Sequence, residues 1–255
     1  MTETFLVLLA GGVMLAAFIS DPKEVTVNWL RLAGIIALAM GALSVFFYWR
    51  RGGTTREERL GYVIIFAAIL GEIGAIHLPF AGVARPCAGV VFMGAIVLAT
   101  KLLWPAMQGQ RPRYDELAWM ASCGGVAAMC GVALMDMLLG HAYLTASKMT
   151  MQPFVRLHLS LAVITVVRAI CAIGIAMMML HRRPIELFWD RFGLFVITRW
   201  LVGLVIPGVF IYMAYDCIRR RATQSATGIL YVAGILIFIG EIIALYLLRE
   251  TRLPF

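Results

Sequence analysis

Eight apolar runs, separated by short polar segments, constrain this chain more than any other feature of its sequence. Each run reaches the roughly 20 residues that a helix needs to cross a hydrocarbon layer about 30 Å thick, where only helices and closed barrels satisfy their backbone groups. The runs lack the alternation of β-strands. The sequence therefore predicts an all-α, polytopic membrane bundle forming one transmembrane domain (1–255), with helices at about 4–20, 29–49, 60–82, 86–107, 117–140, 156–180, 192–215 and 227–248.

The composition supports a membrane protein and excludes several other classes. Hydrophobic residues make up 62% of the chain and charged residues 14%, against roughly 25% charged residues in soluble domains. The net charge of +8 does not indicate nucleic-acid binding, because the arginines stand at the ends of apolar runs. The cysteines lack the spacing of iron–sulfur or c-type haem sites, and no ATP-binding loop, nucleophile elbow or HExxH motif is present.

The basic residues of the short connections predict the orientation in the membrane. The connection after the second helix carries Arg50, Arg51, Arg56 and Arg59, and we expect it to be cytoplasmic. Eight spans then place both termini in the cytoplasm, with the protein in a bacterial inner membrane. Three arginines fall on the outer side, where they either bind an anion or a lipid headgroup or indicate a misdrawn helix. These are Arg219, Arg220 and Arg221.

Two short segments resemble each other. Leu70–Ala75 of the third helix reads LGEIGA and Ile239–Ala244 of the eighth reads IGEIIA. The two helices run in opposite directions, so the similarity suggests an inverted four-plus-four repeat, the arrangement found in many transporters. A chance match between two apolar, glycine-containing segments is the alternative.

Several charged side chains fall inside the predicted spans, where each needs a partner because a lone charge there costs about 3 kcal/mol or more. Matched depth predicts one pair between Arg199 and Glu241 and a second between Glu72 and Arg168. These pairs either lock the helices together or leave Glu72 or Glu241 to exchange protons beside a quinone or an ion path. We expect Lys101 to extend toward the cytoplasmic surface.

A cluster of polar residues at the outer face is the sharpest functional signal. The predicted topology brings the three histidines His77, His141 and His158 to the same face as Asp136, with Glu72 deeper in the helix that carries His77. Two histidines on different helices can ligate a b-type haem, three with a carboxylate can bind a transition metal, and one can donate a hydrogen bond to a quinone carbonyl. Packing at the membrane interface is the structural alternative.

The last two helices resemble a known family. The segment Arg199–Pro207, RWLVGLVIP, followed by the pair Gly240-Glu241, is similar to the final helices of the membrane anchors of polysulfide and dimethyl sulfoxide reductases. The resemblance implies an eight-helix anchor that exchanges electrons with quinone. The segments Gly140–Leu144 and Thr223–Gly228 resemble those of uncharacterised bacterial membrane proteins, and this brings no function with it.

These observations predict a non-catalytic membrane subunit of a respiratory or redox complex. It would anchor partner subunits and hold a quinone, or less readily a b-type haem, near Glu72 and the outer histidines. A small-solute or ion transporter is the first alternative, favoured by the suggested repeat and the intramembrane charges. A structural or assembly subunit, in which every charge pair is structural, is the second.

Overall fold

The computed structural model describes residues 1–21, 24–52, 55–77, 81–103, 113–145, 150–182, 185–251 and 253–254. These residues are almost entirely helical and contain no strand. The helices are α1 (Thr2–Ile19), α2 (Val27–Arg50), α3 (Arg56–His77), α4 (Ala81–Leu103), α5 (Arg113–Thr145), α6 (Gln152–Arg182), α7 (Ile185–Trp200), α8 (Ile206–Arg219) and α9 (Thr223–Thr251).

Eight stretches of the described chain are long and apolar enough to cross a membrane, which confirms the predicted all-α polytopic bundle. Seven of them are single helices. The remaining span, Asp190–Arg219, combines most of α7 with all of α8. Between α7 and α8 lies one π-helical turn, Leu201–Val205, in which the N–H of Ile206 donates to the carbonyl of Leu201.

Proline explains the π-helical turn. Pro207 follows it in the first turn of α8. A proline ring clashes with the carbonyl four residues earlier and removes one backbone donor. A backbone hydrogen bond to the carbonyl five residues earlier, instead of four, relieves this conflict and lets the helix continue. Single π-helical turns of this kind recur at functional sites.

One predicted helix boundary is wrong. The fourth helix is predicted to begin at about residue 86, but α4 begins at Ala81, so Arg85 and Pro86 lie inside it. The proline is close to the start of the helix, where few backbone bonds are lost. Helices α5 and α6 also extend beyond their predicted ends at both termini, because their polar end residues continue the helical backbone past the apolar run.

The bundle consists of two groups of helices joined through α1 and α5. In the first group α1 packs against α2 and α4, and α3 packs against the same two helices. In the second group α5 and α8 both pack against α6 and α9. The contact between α1 and α5 is extensive and joins the groups.

The two faces of the bundle carry different polar contacts. We call the face with the chain's first residue and the α2–α3 turn the N-terminal face, and the face with the α8–α9 turn the far face. On the N-terminal face, Arg51 binds Glu3 at 2.7 Å, which fastens the α2–α3 turn to the start of α1. On the far face, Arg156 of α6 binds Glu24, 3.1 Å away in the α1–α2 connection.

The hairpins α2–α3 and α8–α9 run in opposite directions and share a pattern. Residues 33–50 and 203–220 have the same burial class position for position. Each turn contains one residue with positive φ, Gly52 at 74° and Arg221 at 59°. Four consecutive spans return the chain to the face where it began, so helices four spans apart run parallel and two four-helix halves cannot be inverted copies of each other. The two hairpins are five spans apart and therefore run in opposite directions. The inverted similarity is thus between these hairpins and not between two four-helix halves.

Candidate functional site

Asp136 and His158 form a fully buried pair in the second group of helices. Asp136 is on α5 and His158 on α6, and the Oδ2 of Asp136 lies 2.8 Å from the Nδ1 of His158. The other ring nitrogen, Nε2, lies 2.9 Å from the backbone carbonyl oxygen of Ile211 on α8. The pair thus connects three helices through one imidazole ring.

The hydrogen-bond partners define how this pair holds protons. A carbonyl oxygen only accepts, so Nε2 of His158 must carry a proton. The bond to Asp136 then needs one further proton, held either by Nδ1 beside a carboxylate or by the carboxyl group beside a neutral ring. The second oxygen of Asp136, Oδ1, has no hydrogen-bond partner among the described residues. Because protein atoms engage both ring nitrogens, ligation of a haem or metal by His158 requires breaking one of these bonds.

A second ring and a cation extend the pair toward the far face. The ring of Tyr215 on α8 stacks on His158, with centroids 6.3 Å apart and planes 8° from parallel. The guanidinium of Arg219 lies 5.8 Å from the centre of the Tyr215 ring. Its neighbour Arg220 forms an exposed ion pair with Asp216. The arginines expected to bind an anion or headgroup thus lie at the exposed α8–α9 turn.

The predicted outer cluster of five residues does not form one site. Among the side chains that the structure describes, Asp136 and His158 are the two that meet. His141 is exposed near the end of α5, and the side chain of His77 lies outside the described part of the chain. Glu72 belongs to the first group of helices, on the other side of α1. Within the described residues no group of three or more histidine, cysteine, aspartate or glutamate side chains could hold a metal ion.

Glu72 lines a small interior cavity close to the far face. Its side chain is 2% exposed, and its Oε2 has no hydrogen-bond partner among the described residues. The cavity, of about 100 Å³, is formed by α1, α2, α3 and α4, and Arg85 is the other polar residue of its lining. A Cβ built on Gly34 would lie 3.0 Å from the Glu72 Oε2, so this glycine makes room for the carboxyl group. The rest of the lining is apolar, and the volume of the cavity is sufficient for a few water molecules beside these two polar residues.

Glu241 binds two arginines deep in the second group of helices. The Nη2 of Arg168 donates to the Oε2 of Glu241 at 2.6 Å, and the Nη2 of Arg199 lies 2.9 Å from Oε1. The predicted Arg199–Glu241 pair is therefore confirmed. The predicted pair between Glu72 and Arg168 is wrong, because α3 packs against α2 and α4 while α6 belongs to the other group.

Glycines allow this cluster to form. A Cβ built on Gly125 of α5 would lie 2.7 Å from the Cδ of Arg168, so only a glycine lets the arginine side chain pass. A Cβ built on Gly203 would lie 2.7 Å from the Cα of Gly240 and 3.0 Å from the Nη1 of Arg199. The backbones of the seventh span and α9 thus touch beside the cluster. We call Arg168, Arg199 and Glu241 the arginine–glutamate cluster.

An apolar groove runs along the outer side of α3 and α4. Its volume is about 740 Å³, and Gly61, Gly89 and Gly94 form part of its wall. At the N-terminal face it ends at Lys101 and Glu57, which form an exposed ion pair. Lys101 thus extends to the exposed end of the groove at the N-terminal face. A groove of this size lies in the range of ligand sites.

Comparison with known proteins gives no relative. No family model, no curated protein and no solved structure matches this chain. The interpretation of the site therefore depends on its own geometry.

One polar network was not predicted from the sequence. On the N-terminal face the hydroxyl of Ser44 donates to the carbonyl of Glu3 at 2.7 Å and lies 2.8 Å from the hydroxyl of Tyr62. Nearby the hydroxyl of Tyr48 donates to Glu58 at 2.9 Å. Both tyrosines and Ser44 are buried. Their helical spacing, with polar groups four residues apart on α2 and on α3, is the signal that could have shown a shared polar face.

Proposed function

We propose that the protein is a proton-exchanging membrane subunit of a redox complex. Glu72 is the group that exchanges protons, and partner subunits supply the catalytic chemistry. The observation that carries this proposal is the Glu72 carboxyl group, which is buried, lacks a partner on Oε2 and faces a cavity with room for water.

The other intramembrane carboxyl groups suit proton exchange less well. Glu241 is held as a carboxylate by two guanidinium groups, an arrangement that joins three spans. Asp136 shares its proton with His158, whose other ring nitrogen donates to the Ile211 carbonyl. Glu72 combines a buried oxygen that has no hydrogen-bond partner among the described residues with an adjoining cavity. A carboxyl group withdrawn from water is more stable in its neutral form than one in water, so it can hold a proton and pass it to water in the adjoining cavity.

Two observations favour a subunit of a larger redox complex. No more than nine residues separate consecutive helices, so there is no room for a soluble catalytic domain between the spans. The apolar groove between α3 and α4 has the volume and the membrane-facing position that suit the isoprenoid tail of a quinone. The groove and the Glu72 cavity share α3 and α4, which would place proton exchange close to the electron carrier.

Modification with a hydrophobic carbodiimide tests the role of Glu72. The reagent adds to a protonated carboxyl group, forming an acylisourea that rearranges to a stable acylurea. Mass spectrometry of membranes should show the adduct at Glu72, with labelling that decreases as pH rises. The matched control on the same helix is Glu57, which is exposed beside Lys101 and should react weakly. Absence of an adduct at Glu72 across neutral and acidic pH would overturn the assignment.

Gentle purification tests the redox partners. We expect quinone and stoichiometric larger subunits to copurify with the protein. Gly94→Leu should lower the quinone content by filling the groove, while Gly174→Leu, at an open position of α6, should leave it unchanged. A quinone-free protein that purifies alone would contradict the redox assignment and leave the carbodiimide result standing.

The inverted hairpins favour a second candidate, a proton-coupled transporter. Hairpins α2–α3 and α8–α9 run in opposite directions with the same burial pattern, as inverted repeats of secondary transporters do. In proteoliposomes such a protein would acidify or alkalise the lumen only when its solute is added. Solute-dependent proton movement that is lost in Glu72→Gln and kept in Glu57→Gln would select this candidate. The lack of any such solute among a broad set would exclude it.

A further inference from the structure

The arginine–glutamate cluster has a net positive charge, because its two arginines exceed its single glutamate. Two guanidinium groups face a single carboxylate, and guanidinium groups stay protonated in proteins. Arg199 and Glu241 are fully buried, and Arg168 is 4% exposed. Burying an uncompensated ion is costly even after the protein relaxes around it. The surplus charge therefore calls for a negative partner inside the bundle.

Arg199 is the residue that lacks compensation. Arg168 directs two nitrogens at Glu241, Nη2 at 2.6 Å and Nε at 3.4 Å. Arg199 approaches the same carboxylate only as an ion pair through Nη2, and none of its three guanidinium nitrogens has a hydrogen-bond partner among the described residues. A guanidinium has five donors in a planar fork that suits anions. Arg199 therefore has donors in place for a second anionic group.

We infer that the arginine–glutamate cluster binds one small monovalent anion of halide size, held by Nε and Nη1 of Arg199. Such an anion makes the cluster electrically neutral. It must be small, because the touching backbones of Gly203 and Gly240 confine the space beside Nη1. The π-helical turn Leu201–Val205 begins two residues after Arg199, and its wider bonding pattern interrupts the regular helix beside the anion.

Cys130 offers a different source of negative charge. This residue of α5 is fully buried and lies within electrostatic range of Arg168, Arg199 and Glu241. A thiolate at Cys130 would neutralise the cluster with no bound ion. Cys130→Ala removes that source and changes little volume, so it distinguishes the two.

The experiment compares thermal unfolding in salts of equal ionic strength. The purified protein is measured in sodium chloride, sodium bromide and sodium gluconate, the last having an anion too large for the cluster. Chloride and bromide should raise the midpoint by about 5 °C over gluconate, as expected for a ligand well above its dissociation constant. Cys130→Ala should keep this difference. Equal midpoints in all three salts would overturn the inference. An anion dependence that occurs only in Cys130→Ala would overturn it too, because the thiolate would then be the negative partner in the wild-type protein.

Substitution of single arginines tests whether the anion binds at Arg199. Arg199→Gln leaves the Arg168–Glu241 pair in place and removes the surplus charge, so its midpoint should not depend on the anion. The matched control is Arg156→Gln, which removes an exposed arginine and should keep the dependence. If Arg199→Gln fails to fold, equilibrium dialysis of the wild-type protein with radiolabelled chloride decides. Saturation at one ion per protein, reversed by bromide and not by gluconate, supports the site, and no saturable binding contradicts it.

Discussion

Gly12 of α1 and Gly131 of α5 bring the two groups of helices into backbone contact. A Cβ built on Gly12 would overlap the carbonyl group of Ala127 and lie 3.0 Å from the Cα of Gly131. Small residues let membrane helices approach this closely, and the packing they permit drives helix association in lipid. The central contact of the protein therefore depends on two positions that have no side chain.

Replacing Gly12 with alanine should destabilise the protein. The added methyl group must push α1 away from α5, and overpacking of this kind costs about 1–3 kcal/mol. The measurement is the midpoint of thermal unfolding of the purified variant. The control is Gly174→Ala, where a Cβ meets nothing within 4 Å and alanine improves helix propensity by up to about 1 kcal/mol. Equal stability of the two variants would contradict the contact.

The spans follow from the sequence because length and hydrophobicity determine which segments cross a membrane. The π-helical turn does not follow, since a proline at position 207 is compatible with a kink, a break or a wider turn. The choice depends on how α8 packs. The position of Arg85-Pro86 within α4 was missed for a related reason, because proline close to a helix start is tolerated.

The candidate site was only partly predictable. Depth along the helices identified Arg199 and Glu241 as partners, because a shared depth is visible in the sequence. It could not exclude Glu72 as a partner of Arg168, since that depends on which helices are neighbours. The sequence placed Asp136 and His158 toward the same face, but it did not reveal that the two form a pair or that Ile211 would engage the second ring nitrogen.

Glu241→Gln should strongly destabilise the protein. It leaves Arg168 and Arg199 facing each other without a carboxylate, and breaking a buried ion pair by removing one partner costs about 3–5 kcal/mol. The measurement is thermal unfolding in detergent, with Asp216→Asn as the control. That variant removes an exposed pair with Arg220, whose contribution should be about 0–1 kcal/mol. A Glu241→Gln variant as stable as the control would show that the cluster does not hold the spans together.

His158→Ala should cost more stability than Asp136→Asn. In His158→Ala the Asp136 carboxyl group loses its hydrogen-bond partner, and the Ile211 carbonyl loses the bond from Nε2. Each unsatisfied buried group costs about 1–3 kcal/mol. Asparagine keeps both bonds, because its side-chain amide donates to Nδ1 while Nε2 still donates to Ile211. Thermal unfolding of both variants tests the order. The reverse order would mean that the charge of Asp136, not its hydrogen bond, stabilises the pair.

The two hairpin turns predict opposite effects of glycine. Arg221→Gly should stabilise the protein by about 1 kcal/mol, because a residue with a side chain at φ 59° pays a penalty that glycine avoids. Gly52→Ala should destabilise it by a similar amount, since φ is 74° there and a Cβ meets nothing within 4 Å to compensate. Thermal midpoints measured side by side test both. Changes of the same sign in the two variants would contradict the backbone argument.

The arginines of the two turns predict which face is cytoplasmic. Arg50, Arg51, Arg56 and Arg59 surround the α2–α3 turn on the N-terminal face, and cytoplasmic connections are enriched in such residues. An epitope inserted at Gly52 should therefore be reached by antibody only after spheroplasts of a bacterial host are permeabilised. An epitope inserted after Arg221 should be reached in intact spheroplasts, although three arginines precede it. The paired insertions control for each other because both turns are exposed. Labelling of the Gly52 epitope in intact spheroplasts would reverse the orientation and place the Glu72 cavity on the cytoplasmic side.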